Sequence, residues 1–196
     1  MSLHRVACWL LVCLMASGAA AAPAPTSPSF KAGVFEPPRP APEFALRGSD
    51  GGDVTLARYR GKVVLMSFGF THCAAVCPLT LATLAQARGA LGAAADGLQV
   101  VFVTVDPERD AAPRLKQYLA AFDPSFVGAT GAPEALAAMR KRYGVVAEKV
   151  PTADGYAMDH TSSVFLIDRD GRLRAMMPYG HDARDFVHDV RLLLAK

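Results

Sequence analysis

The sequence predicts an α/β domain of about 150 residues, in which a mixed β-sheet has helices on both faces. Apolar runs at residues 63–68 and 98–105 indicate two buried strands, and the residues between them follow a helical pattern. A strand, a helix and a second strand in this order form a βαβ unit, whose two strands pair in parallel. The chain has 196 residues, 52% of them hydrophobic, which is enough for one core without disulfide support.

The first 42 residues are expected to lie outside this domain. Residues 1–22 hold Arg5, an apolar run and then small residues, which predicts a secretory signal, or an N-terminal anchor if the segment stays uncut. We therefore expect export to the periplasm or to the outer face of the inner membrane. Cys8 and Cys13 would leave with a cleaved signal. Residues 23–42 contain seven of the 14 prolines, which predicts an extended, solvated tether.

The predicted domain, residues 43–196, begins with a small hairpin. Apolar residues flank the turn sequence SDGGD on both sides. After the βαβ unit, the pattern predicts a helix at 112–121, a strand at 126–130, a helix at 133–143, an irregular loop at 144–159, strands at 163–167 and 173–177, and a helix at 183–194. A loop of that length in a compact domain is usually functional or mobile.

The charge pattern argues against a nucleic-acid partner. The chain has 21 basic and 18 acidic residues and a formal charge of +3 at pH 7. No block of like charges interrupts this balance, so a mixed, solvated surface is the better interpretation.

Two cysteines, Cys73 and Cys77, come directly after the first buried strand, where a helix is predicted to begin. The free N–H groups and the positive dipole end of a helix favour a thiolate, the form that attacks disulfides and binds metals. In an exported protein a cysteine pair is by default a structural disulfide. This pair can oxidise to a Cys73–Cys77 disulfide, but so small a loop adds little stability. The spacing also leaves room for a metal ion, and Pro78 favours an irregular turn between the two thiols.

His160 lies just before the predicted strand at 163–167. If that strand runs antiparallel to the first two, its start lies at the sheet edge where their carboxyl ends carry Cys73 and Asp106. The fold would then bring His160 to the thiols. Two thiolates and an imidazole form a soft site that suits Cu(I) or zinc, and imidazole also suits Cu(II). Zinc would want a fourth ligand or a water molecule.

Three segments, FGFTHCAAVCPLTL, TVDPERD and DHTSSVFLIDRDGRL, resemble in order and spacing the Sco (SenC-type) family of copper metallochaperones. The resemblance covers residues 43–196 and implies a thioredoxin-like, copper-binding domain. It implies that Cys73, Cys77 and His160 bind copper. It also implies that the copper goes to the binuclear site of cytochrome c oxidase subunit II.

Two aspartates, Asp106 and Asp159, match family motif positions beside the site, so they are candidates for supporting the metal ligands. One departure from the family pattern is present. The family commonly has Pro-Asp where this chain has Ala74 and Ala75. The change keeps the ligands but removes a local acidic group.

Two functions remain open at this point. The first is a copper carrier that serves cytochrome c oxidase subunit II or another copper-accepting protein. The second is a thiol–disulfide oxidoreductase that reduces cysteines of the partner before metallation, with a thiol reductant protein restoring it. Both use Cys73 and Cys77, but only the carrier requires His160.

Overall fold

The computed structural model describes residues 29–153 and 155–195, and its centre is an eight-stranded mixed sheet. The strands are β1 (Gly33–Pro40), β2 (Ala45–Gly48), β3 (Asp53–Thr55), β4 (Val63–Gly69), β5 (Leu98–Thr104), β6 (Val127–Thr130), β7 (Ala147–Thr152), β8 (Gly155–His160), β9 (Val164–Ile167) and β10 (Arg172–Met177). The α-helices are α1 (Val76–Leu91), α2 (Ala112–Ala120), α3 (Pro133–Tyr143) and α4 (Ala183–Leu194). The order in the sheet is β1-β10-β9-β4-β5-β6-β2-β3, while β7 and β8 form a separate pair.

The predicted fold class is confirmed. Strands β4, β5 and β6 are parallel, and β9 pairs with β4 in the antiparallel sense. Every residue of β4 is buried, as expected for a central strand covered on both faces. Tyr143 of α3 packs on Phe68, and Cys77 of α1 packs on Gly69. Because neighbouring residues of a strand point to opposite faces, α1 and α3 cover opposite faces of the sheet.

The predicted hairpin near the N-terminus is present as β2 and β3, and it joins the sheet through β6. The helices at 133–143 and 183–194 have the predicted bounds. Helix α4 begins at an aspartate cap, because Asp182 accepts the N–H groups of Arg184 and Asp185.

The prediction of a solvated tether is wrong for residues 33–40. These residues form β1, which pairs with β10 at the sheet edge. The carboxylate of Asp189, in α4, accepts the backbone N–H groups of Lys31 and Ala32 at 2.8 and 2.9 Å. An edge strand needs hydrogen bonds on one side only, so it tolerates prolines. The predicted signal or anchor and residues 23–28 of the tether lie outside the described residues.

The prediction of an irregular loop at 144–159 is also wrong. Most of this segment forms the antiparallel hairpin of β7 and β8, in which Ala147 lies opposite His160. All of β7 after Ala147 is exposed, so its strand carries no apolar run of the kind that identifies a buried strand.

None of the helices within residues 29–153 and 155–195 combines the length and the apolar character that crossing a bilayer requires.

Candidate metal centre

The loop between β4 and α1 holds Cys73 at the N-terminus of the helix. Cys73 lies before the first helical residue, Val76, and Cys77 lies within the first turn. The backbone N–H of Cys77 donates to Sγ of Cys73 at 3.4 Å. The sulfur therefore takes the place of a capping oxygen, because α1 has no side-chain cap of another kind.

The pKa values of the two thiols are shifted in opposite directions. Burial alone would raise the pKa of the half-buried Cys73 thiol, but hydrogen bonds from the N–H groups of Cys77, Ala75 and Val76 outweigh it, so the pKa is lowered. Burial raises the pKa of the Cys77 thiol strongly, and the nearby charges of Cys73 and Asp110 add to this effect. Cys73 is thus the thiol that ionises first, while Cys77 keeps its proton.

Gly69, the last residue of β4, makes room for the deeper thiol. A Cβ atom at this position would lie 2.8 Å from Sγ of Cys77 and 2.6 Å from the ring of Phe102. The absence of a side chain therefore lets α1 approach the end of the strand closely. Cys77 is only 4% exposed in this position.

His160 reaches the thiols because β9 is antiparallel to β4. The start of β9 lies beside the carboxyl ends of β4 and β5, and His160 ends β8 just before it. Nε2 of His160 lies 3.6 Å from Sγ of Cys77. Nδ1 lies 3.0 Å from the carbonyl oxygen of Thr161, which can only accept, so Nδ1 carries a proton and the lone pair of Nε2 faces Sγ of Cys77.

The donor atoms fit a metal ion. Metal–sulfur and metal–nitrogen bonds of about 2.3 and 2.0 Å, at a tetrahedral angle, separate the two atoms by about 3.5 Å. The observed separation of Sγ of Cys77 and Nε2 of His160, 3.6 Å, is close to this value. Within residues 29–153 and 155–195, no three His, Cys, Asp or Glu side chains already surround one metal-sized position. Cys73, Cys77 and His160 would therefore have to move towards one another to close around an ion.

Asp106 is linked to β8, the strand that ends at His160. Its side chain is fully buried and forms an ion pair with Arg109. Its Oδ1 accepts the hydroxyl of Tyr156 at 2.9 Å, and Nη1 of Arg109 donates to the carbonyl oxygen of Tyr156 at 3.1 Å. We call Asp106, Arg109 and Tyr156 the hairpin clamp, because they fasten β8 to the loop after β5. The ring of Phe70, which packs edge-on against His160 at 5.8 Å, holds the imidazole from another side.

Asp110 fixes the cysteine loop itself. This fully buried carboxylate accepts the backbone N–H of Thr71 at 3.0 Å and its hydroxyl at 2.7 Å. It also accepts the hydroxyl of Thr104, the last residue of β5, at 2.8 Å. The segment two residues before Cys73 is thus tied to the neighbouring strand.

Asp159, the second predicted supporting residue, is exposed on β8. Side chains alternate along a strand, so its carboxylate points away from the face that carries His160 and Tyr156. The sequence reasoning did not single out Arg109, Tyr156 or Asp110. The alternation of Tyr156 and His160 was an available signal, but it is informative only once the segment is known to be a strand.

A sheet of this order, with a thiol capping the helix after its central strand and a second thiol in the first turn, defines a thioredoxin-like dithiol protein. The imidazole of His160, which lies beside Cys77 at the same edge of the sheet, distinguishes this chain from dithiol proteins without such a histidine. The chain belongs to the SCO1/SenC family, whose family model matches residues 35–195. The predicted family is therefore confirmed.

Relatives agree with this assignment. The mouse protein "SCO2 homolog, mitochondrial" is 34% identical over 157 residues, which are 78% of this chain and 62% of that protein. The chain thus spans about three fifths of this curated relative. The copper-bound structure of Bradyrhizobium japonicum ScoI is 39% identical, with a TM-score of 0.73, over 79% of this chain and 99% of that one. The apo Sco1 structure from Thermus thermophilus is 37% identical, with a TM-score of 0.76, over 85% and 98%.

Proposed function

We propose that this protein is a copper carrier that binds one copper ion through Cys73, Cys77 and His160. Its acceptor is the binuclear copper site of cytochrome c oxidase subunit II, as the family resemblance implies. The observation that supports the proposal is the approach of Nε2 of His160 to Sγ of Cys77, beside a thiol that caps a helix. The structure of B. japonicum ScoI, a similar protein, was determined with copper bound.

The donor set suits the two oxidation states of copper. Thiolates are soft ligands that favour Cu(I), whereas the imidazole also suits Cu(II). The lone pair on Nε2 that faces Cys77 can bind a metal without loss of a proton from the imidazole. Cys77 must lose its proton on binding, and the metal charge compensates for the burial that raises the pKa of this thiol.

The two thiol ligands differ in exposure, which suggests an order of release from the sulfurs. Cys73 is half-buried at the sheet edge, and Cys77 is buried beneath it. A sulfur or nitrogen ligand of the acceptor can therefore replace Cys73 first. Release from Cys77 follows, and its thiol regains a proton because burial penalises the free thiolate. The carrier would act outside the cytoplasm, in the periplasm or at the outer face of the inner membrane.

Copper titration of the reduced protein tests this proposal. We expect one copper per chain and a thiolate-to-Cu(II) charge-transfer band. Cys73→Ser, Cys77→Ser and His160→Ala should each lose high-affinity binding. His72→Ala is the matched control, because His72 is adjacent to Cys73 but exposed. Unchanged affinity in Cys73→Ser, or equal losses in the two histidine variants, would contradict the ligand set.

A second function, thiol–disulfide exchange, is favoured by the asymmetry of the two thiols. The lowered pKa of Cys73 suits attack on a disulfide, and the buried Cys77 suits resolution of the mixed disulfide. The partner disulfide would become two thiols, and Cys73 and Cys77 would become a disulfide that a thiol reductant protein must reduce. His160→Ala separates the functions, since a carrier loses copper delivery and a reductase keeps its exchange rate.

A further inference from the structure

A small cavity lies behind the candidate ligands and touches both Cys77 and His160. Its volume is about 10 Å³, counted as the space open to the centre of a water-sized sphere. Four side chains that carry hydroxyl groups, Ser67, Thr80, Ser162 and Ser163, contribute to its wall. A buried space of about 10–15 Å³ with two to four polar partners can hold one water molecule. The cavity therefore reaches the lower limit of size for one water molecule, and the hydroxyl groups in its wall supply polar partners.

Ser67 is the polar group without a partner in this wall. It lies in the middle of β4, is 4% exposed, and its Oγ forms no hydrogen bond with any described residue. Ser67 and Gly69 are two apart in the strand, so they point to the same face, the one on which Cys77 packs. A buried hydroxyl without a partner is costly, which calls for a ligand that satisfies it.

Two of the other hydroxyls, those of Thr80 and Ser162, can accept but have already donated. Oγ1 of Thr80 donates to the carbonyl oxygen of Val76 at 2.9 Å. Oγ of Ser162 donates to the carbonyl oxygen of His160 at 3.3 Å. Both oxygens keep free lone pairs. Ser67 is thus the wall residue whose hydroxyl is both buried without a partner and free to donate to a water molecule, and the water has acceptors for its own two hydrogens.

We propose that this cavity binds one water molecule, which accepts a hydrogen bond from the hydroxyl of Ser67. This water molecule donates a hydrogen bond to the sulfur of Cys77 when that sulfur binds copper as a thiolate. The inference rests on the proposed copper site. Ser67 is a positioning residue in this arrangement, because it acts on the ligand through the water.

The hydrogen bond affects the two oxidation states of copper unequally. A donor draws electron density towards itself and so weakens the donation of charge from sulfur to the metal. Cu(II) depends on this donation more than Cu(I) does, so the hydrogen bond favours Cu(I). Ser67 therefore sets the preference of the site between the two oxidation states.

Ser67→Ala in the full chain tests the inference. The affinities for Cu(I) and Cu(II) are measured by competition with chelators, and the charge-transfer band is recorded. We expect the preference for Cu(I) over Cu(II) to fall about tenfold, the change that corresponds to one charge-assisted hydrogen bond. The band should move to lower energy. A crystal structure of the metal-free wild type should show one water molecule within hydrogen-bonding distance of Oγ of Ser67.

Thr83→Ala is the matched control. Its hydroxyl donates to the carbonyl oxygen of Leu79 at 3.0 Å, on the same helix as Cys77 but outside the cavity. The control should leave the preference unchanged. An unchanged preference in Ser67→Ala, or a dry cavity in the wild type, overturns the inference. If the wild type itself fails to bind copper, the proposed function is wrong. The crystal structure of the metal-free protein still shows, independently, whether the cavity binds a water molecule.

Discussion

Nε2 of His160 lies 3.6 Å from Sγ of Cys77, although the two residues are 83 positions apart in the chain. Two features of the fold produce this contact. The antiparallel pairing of β9 with β4 brings the start of one strand to the end of the other. The hairpin clamp then fastens β8, which ends at His160, to the loop after β5.

The first prediction concerns the close packing at Gly69. In Gly69→Ala the new Cβ meets Sγ of Cys77 at 2.8 Å and the ring of Phe102 at 2.6 Å, so α1 must shift. We expect the free energy of unfolding to fall by about 1–3 kcal/mol, as in other overpacked cores. Copper affinity should fall as well, because the shift moves Cys77 relative to His160. Denaturant unfolding and copper titration measure the two effects.

Gly89→Ala provides the control for this prediction. Gly89 lies within α1, and a Cβ there would meet no atom within 4 Å. Alanine is the better helix former, so the free energy of unfolding should rise by about 0.5–1 kcal/mol. A loss of stability in Gly89→Ala equal to that in Gly69→Ala would mean that the packing argument is wrong.

The second prediction concerns the hairpin clamp. Tyr156→Phe removes the 2.9 Å hydrogen bond to the buried Asp106 carboxylate. We expect the free energy of unfolding to fall by about 1–2 kcal/mol and copper affinity to fall about tenfold, the range found for groups that orient a metal ligand. Amide exchange in β8 should become faster, because the strand is less firmly held.

Tyr179→Phe is the matched variant, since Tyr179 is half exposed and lies outside the clamp. It should change neither copper affinity nor amide exchange in β8. If Tyr156→Phe keeps full affinity while the exchange in β8 accelerates, the clamp stabilises the hairpin but does not position His160.

The sequence was sufficient to predict those elements whose burial produces a periodic pattern of apolar residues. The apolar strands β4, β5 and β9 and the helices α3 and α4 follow from periodicity, and the order of strands explains why His160 meets the thiols. The sequence was insufficient at β1 and β7, because prolines and exposed polar residues indicate a loop unless the pairing partner is known. The dipeptide Asp154-Gly155 is a usual hairpin signal, but it stands between segments without a buried face. Tyr156 and Arg109 could not be identified for the same reason, since their contact depends on that hairpin.

The third prediction concerns Asp110. Asp110→Asn keeps the shape of the side chain but replaces one acceptor oxygen with an amide nitrogen, which cannot accept from Thr71 or Thr104. We expect the free energy of unfolding to fall by about 1–3 kcal/mol. Loss of the carboxylate charge should also lower the pKa of Cys77, because that charge helps to raise it. The pH dependence of thiol alkylation measures this shift.

Asp170→Asn is a suitable control for Asp110→Asn, because Asp170 is exposed in the turn before β10. It should leave both stability and thiol reactivity unchanged. An unchanged alkylation profile in Asp110→Asn would show that Asp110 acts on the loop by hydrogen bonding alone.

The fourth prediction concerns pH and follows from the unequal thiols. Copper binds the thiolates, so each thiol that is protonated in the free protein must release its proton. The pKa of Cys77 is strongly raised, and this thiol therefore releases one proton per copper throughout the neutral and mildly alkaline range. The pKa of Cys73 is lowered, so its proton contributes only below that pKa.

The logarithm of the copper affinity should therefore rise with pH, and the slope of this line should change with pH. Each released proton gives about a tenfold rise in affinity per pH unit. The two thiols together contribute two to the slope below the pKa of Cys73, and their contribution falls to one as the pH passes that pKa. Competition with a chelator at a series of pH values, corrected for the protonation of the chelator, measures this curve. A slope of two that persists above the ordinary pKa of a cysteine thiol would show that the pKa of Cys73 is not lowered, and a slope near zero at neutral pH would show that Cys77 does not bind the metal as a thiolate.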